Sequence, residues 1–357
     1  MQKRKYNFLR IISLFFLLLF FLLYVYFNIL NKEAPIDYKT FMEIGHRFRT
    51  GQNFYGENSY YPIPFVMVFA FFDWLPRELS LSLWLLAPVF VALAISGFSP
   101  LSLLYAPLIG HFLGGQSVLF GLLGFWGYRK YPNPDKMSGG IWLALTTLKP
   151  QLAIAPCLWA FSRWWLDYRE KKRVPKQALG FIFTVGIMYL PGFFLVPNWV
   201  SQWLSSPRPL FLRALSGLFP RTLLYLIPQP SPVYWILLAL LSIALFLFVW
   251  FYCSKKITLD ILVLFYFVVS PFVHDYDLIQ LMPMLETTRL RIIAILLSTP
   301  GWVVIFTQYA NDSAWVVFTI IAPGLLIYFI RQYRQEIEKV VESTNKFEDV
   351  DLSQNPQ

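Results

Sequence analysis

The chain alternates long apolar runs with short polar breaks, and its first apolar run is the longest. Residues 8–30 are nearly all Leu, Ile and Phe, enough to cross about 30 Å of hydrocarbon as one helix. Basic residues precede this run, as in a signal peptide. The run is too long for a signal peptide, however, and no small-residue cleavage pattern follows it. We therefore predict an uncleaved first membrane helix.

Further apolar segments follow, and several are shorter than the roughly 20 residues of a full membrane span. Short apolar pieces broken by Gly or Pro are typical of re-entrant or discontinuous helices that line cavities. The sequence predicts an all-α polytopic membrane protein, with about 10–13 transmembrane or re-entrant helices in one domain, residues 1–334. The predicted segments lie near 80–97, 101–113, 115–129, 138–149, 151–165, 178–196, 232–253, 257–273, 277–287, 290–307 and 315–330.

Basic clusters between these segments fix the expected orientation, because Lys and Arg concentrate in cytoplasmic loops. The path places both termini in the cytoplasm and leaves two external loops, 31–61 and 197–218. If residues 62–76 crossed the membrane, Arg129 and Lys130 would lie outside, so we expect this segment to dip in and return. The mixed polar tail 335–357 is expected to be cytoplasmic and disordered after a short helical extension. The clusters are 1–10, 129–130, 163–176, 255–256, 289–291 and 331–334.

Residues 37–49 of the first external loop have the spacing of a surface amphipathic helix. Asp37, Phe41, Ile44 and Phe48 share one helical stripe, and Gly51 follows as a C-cap. Asp37 has two interpretations at this point. Asp is a favoured N-cap residue, so it could start the helix, or it could be a reactive carboxylate at the membrane surface.

Composition agrees with a membrane protein and removes several function classes. The chain is 57% hydrophobic and 14% charged, with a mean hydropathy of +0.53. The net charge of +10 follows from basic cytoplasmic loops, so no nucleic-acid partner is expected. Cys157 and Cys253 have no metal-ligand or disulfide spacing. The sequence has no phosphate-binding loop, His-x-x-x-His spacing or Gly-x-Ser-x-Gly elbow, so a nucleotide-driven cytoplasmic reaction has no support.

Three polar segments interrupt the apolar runs, and the predicted path brings all three to the external face. Ionisable groups at membrane depth cost a few kcal/mol, so they usually face a cavity and serve a site or pathway. The segment Ser270 to Asp277, which contains His274, could instead cap a helix or face headgroup water. Lys149 could snorkel to the interface. External Arg208 and Arg213 suit an anionic partner such as a lipid phosphate, or plain headgroup contact. The segments are Gly115-Gln116, Lys149-Pro150-Gln151 and Ser270 to Asp277.

A series of short motifs runs along the chain in a fixed order. They are Ile36-Asp37-Tyr38, Gly51 to Tyr55, Tyr61-Pro62, Gly115-Gln116, Gly139-Gly140, Lys149-Pro150-Gln151, Ser270-Pro271 and His274-Asp275-Tyr276-Asp277. Single motifs such as Gly-Gln are weak, but in their order and spacing the motifs resemble the GT-C glycosyltransferases of the polyprenol-phosphate-mannose-dependent α-mannosyltransferase family, glycosyltransferase family 87. The resemblance covers residues 8–330. One departure is Tyr61-Pro62-Ile63-Pro64, where the family usually has Tyr-Pro-Pro.

The resemblance implies an inverting transfer of a hexose, commonly mannose, from a polyprenyl-phosphate donor to a lipid or glycan hydroxyl outside the cell membrane. Asp37 matches the position of the general base. His274 and Lys149, with Arg208 and Arg213, would stabilise the departing phosphate. No cofactor is expected, although a divalent metal at Asp275 and Asp277 stays open. The expected sugar- and acceptor-binding residues are Tyr61, Gln116, Gln151, Asp275, Tyr276 and Asp277.

Two other functions compete with this interpretation. A transporter or flippase of a lipid-linked or small polar solute would use the same buried polar groups and broken helices. The sequence shows no convincing internal repeat, and a transporter has no need for an ordered external loop. A non-catalytic assembly subunit explains the hydrophobicity but neither Lys149 nor the His274 cluster. A monomer surrounded by membrane lipids is the default expectation.

Overall fold

Every regular element in the described part of the chain is a helix, apart from an isolated β-bridge between Leu215 and His274. The computed structural model describes residues 34–56, 59–206, 215–227, 230–254, 256–307 and 314–354, with single positions of the first apolar run; at 306–307, 314–315 and 340–354 it describes the backbone alone. The α-helices are α1 (Ile36–Arg49), α2 (Ile63–Phe72), α3 (Arg77–Ile95), α4 (Ala106–Gly114), α5 (Leu119–Lys130), α6 (Ser138–Leu145), α7 (Pro150–Lys171), α8 (Lys176–Leu195), α9 (Trp199–Ser205), α10 (Leu218–Leu226), α11 (Pro232–Tyr252), α12 (Leu259–Val269), α13 (Thr288–Thr307) and α14 (Ile321–Gln354). The 3₁₀ helices are Pro100–Leu104, Thr146–Leu148, Asp275–Met284 and Ala314–Ile320.

Five of the described helices are long and apolar enough to cross a membrane: α3, α8, α11, α13 and α14. The prediction of a helical membrane protein is confirmed at this level. Three further apolar helices, within 63–72, 138–148 and 259–269, are too short to span alone. Helix α12, for example, has 11 residues and a length of about 17 Å, against about 30 Å of hydrocarbon.

The first apolar run packs against the bundle through its described aromatic side chains. The Phe20 ring meets Phe112 of α4 edge to face, with ring centroids 5.3 Å apart. The Tyr24 hydroxyl donates to the main-chain carbonyl of Glu78 at 3.2 Å, which ties the run to the first turn of α3. Tyr24 is fully buried by these contacts.

Helix α2 packs beside α1 and is too short to span a membrane alone. Its 10 residues extend about 15 Å, half the hydrocarbon thickness. Phe65 and Phe69 both pack on Phe41 of α1, with ring centroids 5.3 and 5.0 Å apart. After α2, the Asp73 carboxylate accepts a hydrogen bond from Arg49 Nε at the end of α1, at 2.6 Å. The dip-and-return interpretation of residues 62–76 requires this placement.

Polar residues collect at two opposite ends of the bundle. Gln116 lies just before α5, whereas Arg129 lies in its last turn, about 18 Å further on. At that far end Arg129 pairs with Asp260 at 2.6 Å and with Glu286 at 2.7 Å. Because α12 begins at Leu259 and ends just before Ser270, it leads from the Arg129 end back to the end that holds Gln116 and His274.

The C-terminal segment differs from its expected disorder. Helix α14 continues from the membrane-spanning part through Gln354, so 335–354 belongs to one helix. Once a helix is nucleated, each added residue contributes one hydrogen bond. Because the sequence has no Pro or Gly between residue 325 and Pro356, no helix breaker interrupts this extension.

Candidate functional site

Asp37 lies in the first turn of α1, and its carboxylate is not a helix cap. The helix begins at Ile36, the residue before it is Pro35, and no side chain caps this end. The Asp37 carboxylate instead accepts a hydrogen bond from the Gln116 side-chain amide, which belongs to a distant part of the chain. The N-cap interpretation of Asp37 was therefore wrong, because the N-cap residue is Pro35, two residues before the position that this interpretation required.

The turn after α4 delivers Gln116 to Asp37. Gly115 has a φ of +71°, a left-handed conformation that glycine adopts without strain. The Gly115 amide donates to the His111 carbonyl at 2.7 Å, and the Gly115 carbonyl accepts from the Trp84 indole at 2.8 Å. Hydrogen bonds to both main-chain groups of Gly115 thus hold the turn in place, and the Gln116 side chain extends from the turn to Asp37 of α1.

Lys149 lies at the apex of a helical hairpin. The 3₁₀ helix Thr146–Leu148 ends just before it, and Pro150 starts α7, where its missing N–H costs nothing. The Lys149 ammonium lies 2.5 Å from Asp277 Oδ1, and the two side chains are 1% and 0% exposed. The snorkelling interpretation was wrong, because the ammonium is buried and paired.

Asp277 is the centre of the cluster rather than a free sugar-binding group. Its second oxygen accepts from the His274 main-chain N–H at 3.0 Å and lies 3.5 Å from His274 Nδ1. The His274 ring stacks on Tyr276, with ring centroids 5.3 Å apart and an interplanar angle of 8°. The Lys149 ammonium lies 4.4 Å from the centre of the same Tyr276 ring, within range of a cation–π interaction. One carboxylate therefore holds Lys149 and His274 beside a shared aromatic ring.

Two more expected residues border this cluster. The Tyr61 hydroxyl accepts from Ser117 Oγ at 3.2 Å, next to Gln116 in the turn. Asp275 is 5% exposed and faces the bare backbone of α4: a Cβ placed on Gly110 would lie 3.6 Å from its Oδ2. Tyr61 and Asp275 therefore lie at the same end of the bundle as Asp37.

Charge couples Asp37 to the cluster. Burial raises the pKa of the Asp37 carboxyl above its ordinary value, while the nearby positive charges of Lys149 and His274 oppose that rise. A carboxylate with a raised pKa is a stronger base than an exposed one. The structure thus brings Asp37, Gln116, Lys149 and the His274 cluster into one electrostatic unit.

Residues 197–218, which we predicted to be the second external loop, are attached at the same end through their described residues. Ser216 donates its main-chain N–H to the Val273 carbonyl at 3.0 Å, next to His274. Trp203 of α9 donates its indole N–H to the Tyr60 carbonyl at 2.9 Å. Arg208 and Arg213 lie outside the described residues, in the segment between these two attachments.

The sequence analysis selected Gln151, which forms no side-chain hydrogen bond among the described residues, and missed Gln280, which does. Gln151 is half-buried, and within the described ranges no hydrogen bond joins it to the other site residues. Gln280 is buried and donates to the Leu152 carbonyl at 2.9 Å, so it ties the 3₁₀ helix Asp275–Met284 to α7. A glutamine inside the apolar run 277–287 was the available signal. Ser117 was also missed, although it directly follows Gln116.

Metal binding gains no support from side-chain clustering. Among the side chains that the structure describes, no three His, Cys, Asp or Glu come together around one point. Both oxygens of the Asp277 carboxylate already accept hydrogen bonds, one from the Lys149 ammonium and the other from the His274 main-chain N–H.

Searches against known proteins found no counterpart. No family model, no curated protein and no solved structure matches this chain. The family resemblance therefore rests on the sequence motifs, and the function is argued from the site.

Proposed function

We propose that this protein is an integral membrane glycosyltransferase of GT-C type, with about 10–13 transmembrane or re-entrant helices. It transfers a hexose, mannose in the first instance, from a polyprenyl-phosphate donor to a hydroxyl of a lipid or glycan. The site lies at the external face of the cell membrane, with both chain termini in the cytoplasm. No nucleotide takes part.

A half-buried carboxylate near a buried cation is the observation that carries the proposal. Asp37 is held by Gln116 at the same end of the bundle as the Lys149–Asp277 pair and His274. Glycosyl transfer from a phosphate needs both kinds of group: a base for the acceptor proton and positive charge for the phosphate that leaves. Burying ionisable groups such as Lys149 and Asp277 in a membrane protein costs free energy, and this cost makes them candidates for a functional role.

The reaction balances as a single displacement. The acceptor hydroxyl oxygen attacks the anomeric carbon and its proton passes to Asp37. The bond from the anomeric carbon to the phosphate oxygen breaks, and its electron pair stays on the polyprenyl phosphate. Because the attack is opposite to the leaving group, the anomeric configuration inverts.

Lys149 can serve the phosphate while it remains paired with Asp277. An ammonium has three N–H donors, and Asp277 takes one of them at 2.5 Å. His274 adds a second donor, and Arg208 and Arg213 are proposed to add further positive charge. Asp277 acts by holding Lys149 and His274, while Tyr61, Tyr276, Asp275 and Gln151 are proposed to contact the sugar or the acceptor.

The test uses purified protein with radiolabelled polyprenyl-phosphate-mannose and a membrane lipid extract. We expect transfer by the wild type and a loss of about 100- to 10,000-fold in Asp37→Asn, because the amide cannot accept the proton. Glu43→Gln is the matched control, since it removes an exposed carboxylate from the same helix and should transfer normally.

Two results would contradict the proposal in different ways. Wild-type transfer by Asp37→Asn would show that Asp37 is not the base. No transfer by the wild type from any polyprenyl-phosphate sugar, with solute movement in vesicles instead, would favour the transporter or flippase.

A further inference from the structure

The turn after α4 binds both ends of the first external loop with neighbouring side chains. Gln116 donates its amide N–H to the Asp37 carboxylate at the start of α1. Ser117 donates its hydroxyl to Tyr61, just before α2. One short turn thus sets the position of the proposed base and of a tyrosine that borders the same site.

This turn fits against α1 without spare room. A Cβ added to Gly115 would lie 2.9 Å from the Cβ atoms of Pro35 and Tyr38, closer than real Cβ contacts. A Cβ added to Gly114 would lie 3.3 Å from the Gln116 amide nitrogen and 3.7 Å from Asp37 Oδ2. The two glycines therefore leave only the space that Gln116 needs to reach Asp37.

The bond between Gln116 and Asp37 has a chemical consequence. A donor to a carboxylate favours its charged form and restricts its orientation. A buried charged acceptor without such a donor is costly. Gln116 is itself buried, so water does not readily replace it.

We propose that Gln116 is a positioning residue, which holds the Asp37 carboxylate as an oriented anion and does not bind the sugar. This inference rests on the proposed transferase function. It replaces the sequence-based role of Gln116 in sugar or acceptor binding.

The test is the pH profile of sugar transfer by Gln116→Ala, with polyprenyl-phosphate-mannose as donor. We expect kcat to fall about 10- to 100-fold, the effect of losing one hydrogen bond to a charged group. KM for the donor should stay within about 2-fold, because no substrate contact is lost. The acidic limb should move to higher pH, since Asp37 loses a donor that favours its anion and then protonates more readily.

A rise in KM with an unmoved acidic limb would overturn the proposal, because it would show direct substrate binding by Gln116. Gln280→Ala is the matched control. It removes another buried amide of the region, which donates to the Leu152 carbonyl and not to Asp37. Its acidic limb should stay at the wild-type pH even if the protein is less stable.

A second variant covers the case in which Gln116→Ala does not fold. Gly114→Ala keeps the Gln116 amide but crowds it at 3.3 Å. We expect a smaller shift of the acidic limb in the same direction. An unshifted limb in a folded Gly114→Ala protein whose kcat has fallen would count against positioning.

A thermal-unfolding cycle separates this inference from the proposed function. If the two side chains are coupled, the Tm loss of Gln116→Ala combined with Asp37→Ala should be smaller than the sum of the single losses. Additive losses would overturn the inference even in an active enzyme. Coupled losses in a protein that transfers no lipid-phosphate sugar would overturn the proposed function, and with it the catalytic purpose of the pair.

Discussion

The molecule has an ion cluster at each end, and the two differ mainly in burial. Lys149 and Asp277 meet with 1% and 0% of their side chains exposed, in the cluster that includes His274. At the opposite end Arg129 is 18% exposed, and its partners Asp260 and Glu286 are 19% and 69% exposed. Both clusters join distant parts of the chain. The two clusters also differ in their neighbours, because the Lys149 cluster lies near Asp37, a carboxylate that forms no direct ion pair with Lys149.

Burial changes how much an ion pair contributes to the stability of the fold. An exposed pair gains little, since water solvates both charges nearly as well, and typical contributions are about 0–1 kcal/mol. A buried pair costs several kcal/mol of desolvation per ion, so apolar residues would often stabilise the same place better. The Arg129 cluster is therefore explained by joining helices. The Lys149 pair calls for a chemical reason, and the proposed transfer from a sugar phosphate would supply one.

The largest expected effect comes from breaking the buried pair. Lys149→Met leaves the Asp277 carboxylate buried without its cation, so we expect about 3–5 kcal/mol less stability and no sugar transfer. Thermal unfolding in detergent measures the first quantity, and the donor assay measures the second. A Tm within a degree of the wild type would show that water already reaches Asp277, contrary to its burial.

A smaller effect is expected at the opposite end. Arg129→Met should lower stability by about 1 kcal/mol, because Glu286 is mostly exposed and Asp260 keeps 19% of its side chain in contact with solvent. Sugar transfer should continue near the wild-type rate, since Arg129 lies about 18 Å from the turn that holds Gln116. Loss of transfer in a stable Arg129→Met protein would remove the functional difference between the two ends.

The smallest effect is expected at a third cluster, where Asp73 pairs with two more exposed side chains from the last turn of α1. The Asp73 carboxylate accepts from Arg49 at 2.6 Å and from His46 at 3.0 Å. Burial favours a higher pKa for Asp73, but the hydrogen bonds from Arg49 and His46 and their positive charges outweigh it and hold the pKa below the ordinary value of 3.8. A lowered pKa stabilises the folded state above the unfolded pKa, and this is lost as pH falls through the folded value, here below about pH 4.

Asp73→Asn should therefore cost less than about 1 kcal/mol at neutral pH. Its unfolding curve should converge with that of the wild type only in strong acid. A loss as large as that of Lys149→Met would mean that position in the bundle, and not burial, sets the cost of an ion pair.

Much of this arrangement could be predicted from the sequence. Asp37, Lys149 and His274 stand out because ionisable residues seldom occur next to apolar runs without a site. The short runs around Lys149 predicted a broken helix, and the structure has a hairpin apex there. Periodicity and charge counts were sufficient for these points, since both are local properties.

The pairings could not be predicted, because they join residues far apart in the chain. Lys149 meets Asp277 across 128 positions, and Gln116 meets Asp37 across 79. Periodicity also could not choose between Gln151, which follows an apolar run, and Gln280, which lies inside one. Only packing decides which of the two side-chain amides finds a partner. The N-cap of α1 is Pro35, two residues before Asp37, and this small displacement was enough to make Asp37 resemble a cap.

The most direct test compares two neutralised pairs, Lys149→Met with Asp277→Leu and Arg129→Met with Asp260→Leu. Both double variants remove matched charges, so each should unfold near the wild-type temperature. We predict that the Arg129 double variant transfers sugar from polyprenyl-phosphate-mannose at the wild-type rate and that the Lys149 double variant transfers none. Transfer by a folded Lys149 double variant would contradict the account, because the buried pair would then have only a structural role.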